Sequence, residues 1–434
     1  MTDPRPSEAL GPTRREDFKV AIICALPLEY DAVILVFDQF WDSDGDRYGR
    51  ALEDKNTYTT GRIGKHDVVL ALLPHMGKVD AASAAASMRS SYSGLRLVLL
   101  VGICGGVPRA IDRDCDIFLG DVIISKSVVQ YDFGRQYPGK FVRKDTLEDN
   151  LRRPDKNIGG LLATFETDRG LERLETWTAR ALKQIRGKIA SKRYWARYNY
   201  PGAGEDKLFQ PAYLHKHHTG LCSSRVCLES TDSVCDEAFD LSCGELGCDE
   251  GNLVNRSQPR PLAAEQNDSV EHAPAIHIGA IASGDTVIKS AEHRDRIAKE
   301  TRIVALEMEG AGVWEEVPSI IVKGVCDYAD CHKNKRWQKF AAATAASTAK
   351  AVLESYIRTD RSSSAGSGGK RAYLLAKREA DDDTDRPTVT GGTSQDEGAM
   401  PSASSSSVFH GPITARNMIQ DTHTSGGTTN LTLN

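Results

Sequence analysis

Residues 278–314 read IGAIASGDTVIKSAEHRDRIAKETRIVALEMEGAGVW. An apolar run over Ile278–Ala282 breaks at Ser283-Gly284-Asp285, and a polar, helix-like segment follows near Ala291–Thr301. A second short apolar run covers Ile303–Leu306, and Glu307-Met308-Glu309 opens another helix. Short strands alternating with helices are the pattern of an α/β sheet. Ligands of such sheets collect beyond the carboxyl ends of the strands, so acids emerging there are placed for chemistry. Asp285, Glu307 and Glu309 are the candidates that this stretch supplies. A carboxylate at a strand end also caps the unpaired N–H groups of a helix start, so each acid has a purely structural reading as well.

Upstream, Phe18–Leu26 is almost continuously apolar, as in a strand buried on both faces. Pro27 is suited to open a helix through Phe37, which puts Glu29 in its first turn. Tyr58–Gly64 and Asp67–Leu73 read as a hairpin pair, and Ala81–Met88 as a helix with small side chains for close packing. Leu95–Val101 is a further buried strand, expected to end in a turn at Gly102-Ile103-Cys104-Gly105-Gly106. Such a glycine cluster lets backbone approach a ligand and leaves its N–H groups free. Gly120–Ser125 and Val128–Asp132 read as two more strands, residues 158–187 as amphipathic helix, Ser319–Tyr328 as a last core strand, and Lys335–Arg358 as a strong helix.

The composition sets outer limits. The 434 residues carry a formal charge of −5, so no global basic field points to nucleic acid or an anionic membrane as a partner. No apolar stretch approaches the ~20 residues that span a bilayer, and the N-terminus lacks a secretory signal. A cytoplasmic location is the expectation. Residues 1–17 and the linker-like 359–407 have disordered compositions, whereas 408–434 is poor in charge and Thr/Asn-rich, as in segments that stack as strands. About 193–272 reads as an insertion into a domain spanning 18–358. It holds His215, His217, His218 and five cysteines: Cys222, Cys227, Cys235, Cys243 and Cys248. The C-x4-C-x7-C-x7-C-x4-C spacing is not that of common zinc modules, so no metal is assigned, and the five cysteines stand only as candidates for a structural zinc.

Four stretches in this order, Ala25-Leu26-Pro27-Leu28-Glu29, Gly102–Gly106, Ser283-Gly284-Asp285 and Ala305-Leu306-Glu307-Met308-Glu309-Gly310-Ala311, resemble the purine nucleoside phosphorylase and nucleosidase superfamily. The texture is similar to its methylthioadenosine/S-adenosylhomocysteine nucleosidases and, more specifically, to the phosphorylase-like domain of fungal NLR-type immune proteins. The resemblance implies a three-layer α/β/α fold with a mixed, twisted central sheet, homodimerisation, no cofactor, and a purine nucleoside or a nucleotide such as ATP as substrate. It makes Glu29 the residue that directs the attacking water and Asp285 the acid that protonates the base, with Ser283 holding Asp285. Glu309 would bind the ribose hydroxyls and Met308 would pack beneath the sugar, while Glu307, Ile103, Cys104 and Gly105 would complete the floor.

Glycosidic cleavage needs one carboxyl protonated and one ionised, and the expectation is an enclosed Asp285 beside a better-solvated Glu29. An acid rather than an arginine after the first strand suits water and repels phosphate. Lys289, His293 and Arg294 are candidates for a 5′-phosphate, and Tyr131, Phe133 and Phe209 for stacking on the base. Adenine or purine release by hydrolysis is thus the leading expectation, and the resemblance to fungal NLR-type proteins implies a role as an immune effector. A phosphorylase is the enzymatic alternative. A catalytically inactive sensor or oligomerisation module, signalling to an NLR-type partner through the C-terminal tail, is the non-enzymatic one.

Overall fold

The computed structural model describes residues 11–357 except 44, 111–114, 191–197, 220–221, 223–225, 230–233 and 257–272. The expected linker and the 408–434 segment lie outside the described residues. In chain order the strands are β1 (Val20–Cys24), β2 (Gln39–Phe40), β3 (Tyr58–Ile63), β4 (His66–Leu72), β5 (Leu97–Gly106), β6 (Arg109–Ala110), β7 (Cys115–Asp116), β8 (Val122–Gln130), β9 (Gly134–Tyr137), β10 (Lys140–Arg143), β11 (Ile276–Ser283), β12 (Ile303–Glu307) and β13 (Ser319–Asp327). The helices are α1 (Pro27–Val36), α2 (Lys78–Ser91), α3 (Lys156–Phe165), α4 (Asp168–Ala190), α5 (Val226–Glu229), α6 (Cys243–Leu246), α7 (Ala291–Thr301), α8 (Gly310–Glu316) and α9 (Gln338–Ser355).

Nine strands form one mixed sheet in the order β12-β11-β8-β13-β5-β1-β4-β3-β2. β12 also pairs back, antiparallel, on the end of β5 through Ala305–Gly106 and Leu306–Gly105. That pairing curls five strands towards closure and gathers the ends of β5, β12 and β13. Strands β1 and β13 are buried along their whole lengths, β1 as an unbroken hydrophobic run and β13 as one interrupted by Lys323. Helix α9 lies directly on β13. A Cβ at Gly324 would meet the Ala341 carbonyl oxygen at 2.0 Å, so the alanine-rich helix can pack this closely only over a glycine.

Three expectations about elements need correction. The Gly102–Gly106 cluster is not a turn but the last half of β5, because β13 and β12 both supply partners for its backbone. Residues 122–130 form one strand, not two, and Lys126 is the extra residue where the register with β11 shifts, Gly279 pairing with Ser125 and Ala280 with Ser127. Residues 158–187 divide into α3 and α4, where the Thr167 hydroxyl accepts the Gly170 N–H and starts the second helix. Ordered chain also begins ahead of residue 18, with a 3-10 turn at Arg15–Asp17. Among the described residues, no helix is long and apolar enough to cross a membrane.

Candidate active site

The strand ends gathered by the β12–β5 pairing surround a cavity of about 440 Å³. Its walls include Glu29, Ile103, Cys104, Gly105, Glu307, Met308, Glu309 and Asp327, with Leu28, Val287 and Ile288 as apolar surface.

Glu29 is 2 % exposed. Its Oε2 accepts the N–H groups of Ala25 and Leu26, both at 2.9 Å, and Oε1 accepts the Ile103 N–H at 2.8 Å. One lone pair of Oε1 is left uncommitted by these bonds. The glycine at 102 is required here, since a Cβ would stand 2.3 Å from Oε1. Burial pushes the Glu29 carboxyl above the ordinary glutamate range, against the pull of the Lys323 ammonium. The expectation of a well-solvated Glu29 is thus corrected: its charge is held by backbone donors and a buried lysine, with little water.

Lys323 lies in the middle of β13, 1 % exposed. Its Nζ stands 3.0 Å from Glu309 Oε2 and 3.5 Å from Glu307 Oε2. Burial works against its charge, but Glu309, Glu307 and Glu29 outweigh burial and push its pKa up. Glu307 accepts the N–H groups of Glu309 and Gly310, so it caps α8 as well as lining the cavity. Burial raises its carboxyl too, with Lys323 opposing. The Ser283 hydroxyl accepts the Ala311 N–H at 2.9 Å and pairs with Glu307. It therefore organises the start of α8 and does not hold Asp285.

Asp285 is placed differently from its expected role. Its side chain is 49 % exposed and is not among the residues lining the cavity. Oδ1 accepts the Lys78 N–H at 2.9 Å, Oδ2 lies 3.6 Å from Lys78 Nζ, and Lys78 also grips Asp132 at 2.7 Å. Asp285 thus caps the start of α2 across the fold, the structural reading of an acid at a strand end. The enclosed aspartate is Asp327, which ends β13 and lines the cavity. Its Oδ1 accepts the Ala329 N–H at 2.9 Å, and Lys333 Nζ lies 3.3 Å from Oδ2. Both Lys323 and Asp327 stand in the quoted run SIIVKGVCDY, where a charge interrupting a buried strand and an acid at its end are the signals that mark them.

The other candidates disperse. Arg294 is buried and spends its guanidinium on Asp295 and the Tyr328 carbonyl. His293 lines a neighbouring pocket beside Tyr131, and Lys289 is exposed outside the cavity lining. Tyr131, Phe133 and Phe209 do not line the cavity either. The Tyr131 hydroxyl donates to the Thr286 carbonyl, Phe133 lies under Lys144, and Phe209 stacks on His332 at 4.1 Å. The lining cations are Lys333 and Lys335.

Residues 19–181 match the family profile described as the phosphorylase superfamily, and the mixed α/β sheet is that of a nucleoside phosphorylase-like fold. The chain is 30% identical over 344 residues to a nucleotide-binding leucine-rich repeat (NLR)-like protein of Hyaloscypha variabilis, a match covering 78% of this chain and 29% of the relative. The chain thus spans under a third of that protein. It is 23% identical to a 5′-methylthioadenosine/S-adenosylhomocysteine nucleosidase of Mycobacterium tuberculosis, over 77% of this chain and 95% of the enzyme. Among solved structures, futalosine hydrolase of Helicobacter pylori is similar at a TM-score of 0.43 and 16% identity, covering 78% of this chain and 98% of that one.

Proposed function

We propose that the domain hydrolyses the N-glycosidic bond of purine nucleosides or nucleotides and releases the free base. The observation that carries this reading is a pair of buried carboxyls, Glu29 and Asp327, lining one cavity beside the Glu309–Lys323 pair. Water adds to C1′ of the sugar as the C1′–N9 bond breaks. Glu29 takes the proton of that water through the free lone pair of Oε1. Asp327 passes to a ring nitrogen of the departing purine a proton drawn from Lys333, whose Nζ lies 3.3 Å from its Oδ2, and ends as the carboxylate it began as. Glu309, held by Lys323, faces the cavity as an acceptor for sugar hydroxyls, and Met308 supplies apolar surface beneath the ring.

Water is favoured over phosphate because three glutamates line the cavity and no arginine does so among the described residues. Purine specificity is supported by the similarity to the mycobacterial 5′-methylthioadenosine/S-adenosylhomocysteine nucleosidase. A 5′-phosphate would find Lys333 and Lys335 at the cavity, in place of Lys289, His293 and Arg294.

The test is chromatographic analysis of adenosine, inosine, methylthioadenosine, AMP and ATP incubated with the protein, with and without phosphate. Free base with unphosphorylated C1′ in phosphate-free buffer is the expected result. Release that needs phosphate and yields a 1-phosphate sugar would make the protein a phosphorylase, and no release from any substrate would favour the sensor or oligomerisation reading.

A further inference from the structure

The insertion has very little to hold it together by ordinary means. Among its described residues, regular structure amounts to the four-residue helices α5 and α6 and a few 3-10 turns, and the five-residue apolar cluster inside it is three-fifths cysteine: Cys222, Cys227 and Cys235, with Ala238 and Leu246. So small a core does not offset the entropy of ordering such a segment, and segments of this kind are usually stapled. None of the ten cysteines is in a disulfide.

Four side chains from three separated positions converge instead. His215, Cys243, Cys248 and His332 bring one ligand atom each to within 4.8 Å of one another. Cys243 Sγ lies 3.6 Å from Nδ1 of His215 and 3.6 Å from Nδ1 of His332, and Cys248 Sγ lies 3.7 Å from Nδ1 of His215. A tetrahedral zinc with Zn–S of about 2.3 Å and Zn–N of about 2.0–2.1 Å separates its sulfur and nitrogen ligands by about 3.5–3.6 Å. The outer nitrogens complete the match: Nε2 of His215 donates to the Leu241 carbonyl and Nε2 of His332 to the Tyr213 carbonyl, both at 2.9 Å. A carbonyl only accepts, so each Nε2 carries a hydrogen, and Nδ1 is the ring atom turned towards the sulfurs and placed to bind a metal.

A second cluster lies two residues along. His217, Cys222 and Cys235 bring their ligand atoms within 4.8 Å of one another, and the Cys235 thiol touches the Cys227 thiol as well. Both ring nitrogens of His217 are buried without a hydrogen-bond partner, an arrangement that costs free energy unless something else binds there.

We propose that the insertion binds two structural zinc ions, one through His215, Cys243, Cys248 and His332 and the other through His217, Cys222, Cys227 and Cys235. The second set is nested in the chain between His215 and Cys243 of the first, so the run of five cysteines is divided between two ions and its spacing resembles no common zinc module. His332 lies outside the insertion, five residues beyond Asp327 and next to Lys333. The first ion therefore ties the insertion to the loop that carries part of the cavity wall.

The 434-residue chain, purified without chelators or a histidine tag, is to be assayed for zinc, iron, nickel and copper by mass spectrometry against protein from amino-acid analysis. The expected content is about two zinc ions per chain, falling to about one in Cys243→Ser and in Cys227→Ser. Exchange of the unmodified protein into cobalt should give the visible bands of tetrahedral cobalt with thiolate charge transfer, a result that does not depend on either variant folding. Zinc well below one per chain, no tetrahedral cobalt spectrum, or a disulfide among these cysteines would overturn the proposal. A content of one per chain would refute the site whose cysteine variant leaves that ion in place.

Discussion

Lys323 is the single positive charge among Glu29, Glu307 and Glu309, and its removal isolates buried carboxylates. Breaking a buried ion pair from one side costs about 3–5 kcal/mol, so Lys323→Met should lose about that much stability in urea denaturation, and a loss under ~1 kcal/mol would contradict the arrangement. Glu29 makes a kinetic prediction at the same scale. A base must be ionised, and burial holds this carboxyl above the usual value of about 4.3, so kcat/KM should fall as pH drops through a limb lying above that value. Glu29→Gln should lose hydrolysis, and a residual rate with the same acidic limb would assign the limb to another group. Lys323 was legible in the chain only as a charge inside an apolar run. The position of Glu29 in the first turn after β1 was legible because it is a local property of the sequence, whereas its burial depends on strands distant in the chain.

At the scale of elements, the pairing of β8 with β11 carries its own titratable clasp. Asp121 precedes β8 and accepts from His277 of β11 at 3.0 Å, and it also accepts the Ala275 N–H. Burial opposes charge on His277, but the bond to Asp121 prevails and its pKa is pushed up to about 9. A raised histidine stabilises the folded state fully below its unfolded pKa of about 6.5, and that stabilisation is lost as pH rises through about 9, a change of ~3 kcal/mol at most. The wild type should therefore lose stability between those limits, and His277→Gln should lose markedly less. Equal slopes would show that His277 titrates alike in both states. Strands β11 and β12 and helix α7 followed from hydrophobic period and capping alone. The run of Gly102–Gly106 did not read as strand, because what makes it one is the pairing with β13 and β12, distant in sequence.

Taken whole, the domain assembles its cavity from the start of α1 and the ends of β5, β12 and β13, and sets the Cys/His-rich insertion against the loop after β13 through His332. Removal of metal should lower Tm and slow base release together, both restored by zinc, whereas metal-free protein of unchanged Tm would argue against a structural ion. The fold class was legible because the strands that build the sheet are continuous apolar runs. The assignment of the acid was not, since Asp285 and Asp327 both follow apolar strands and only the curl of the sheet decides which carboxyl the cavity encloses. That decision is the central claim, and the most direct test is the rate of base release in phosphate-free buffer by the wild type, Asp327→Asn and Asp285→Asn. Loss of a general acid should slow Asp327→Asn by about 100-fold or more, with Asp285→Asn staying within about 10-fold of the wild type. A near-wild-type rate in Asp327→Asn, or the larger loss in Asp285→Asn, would contradict it.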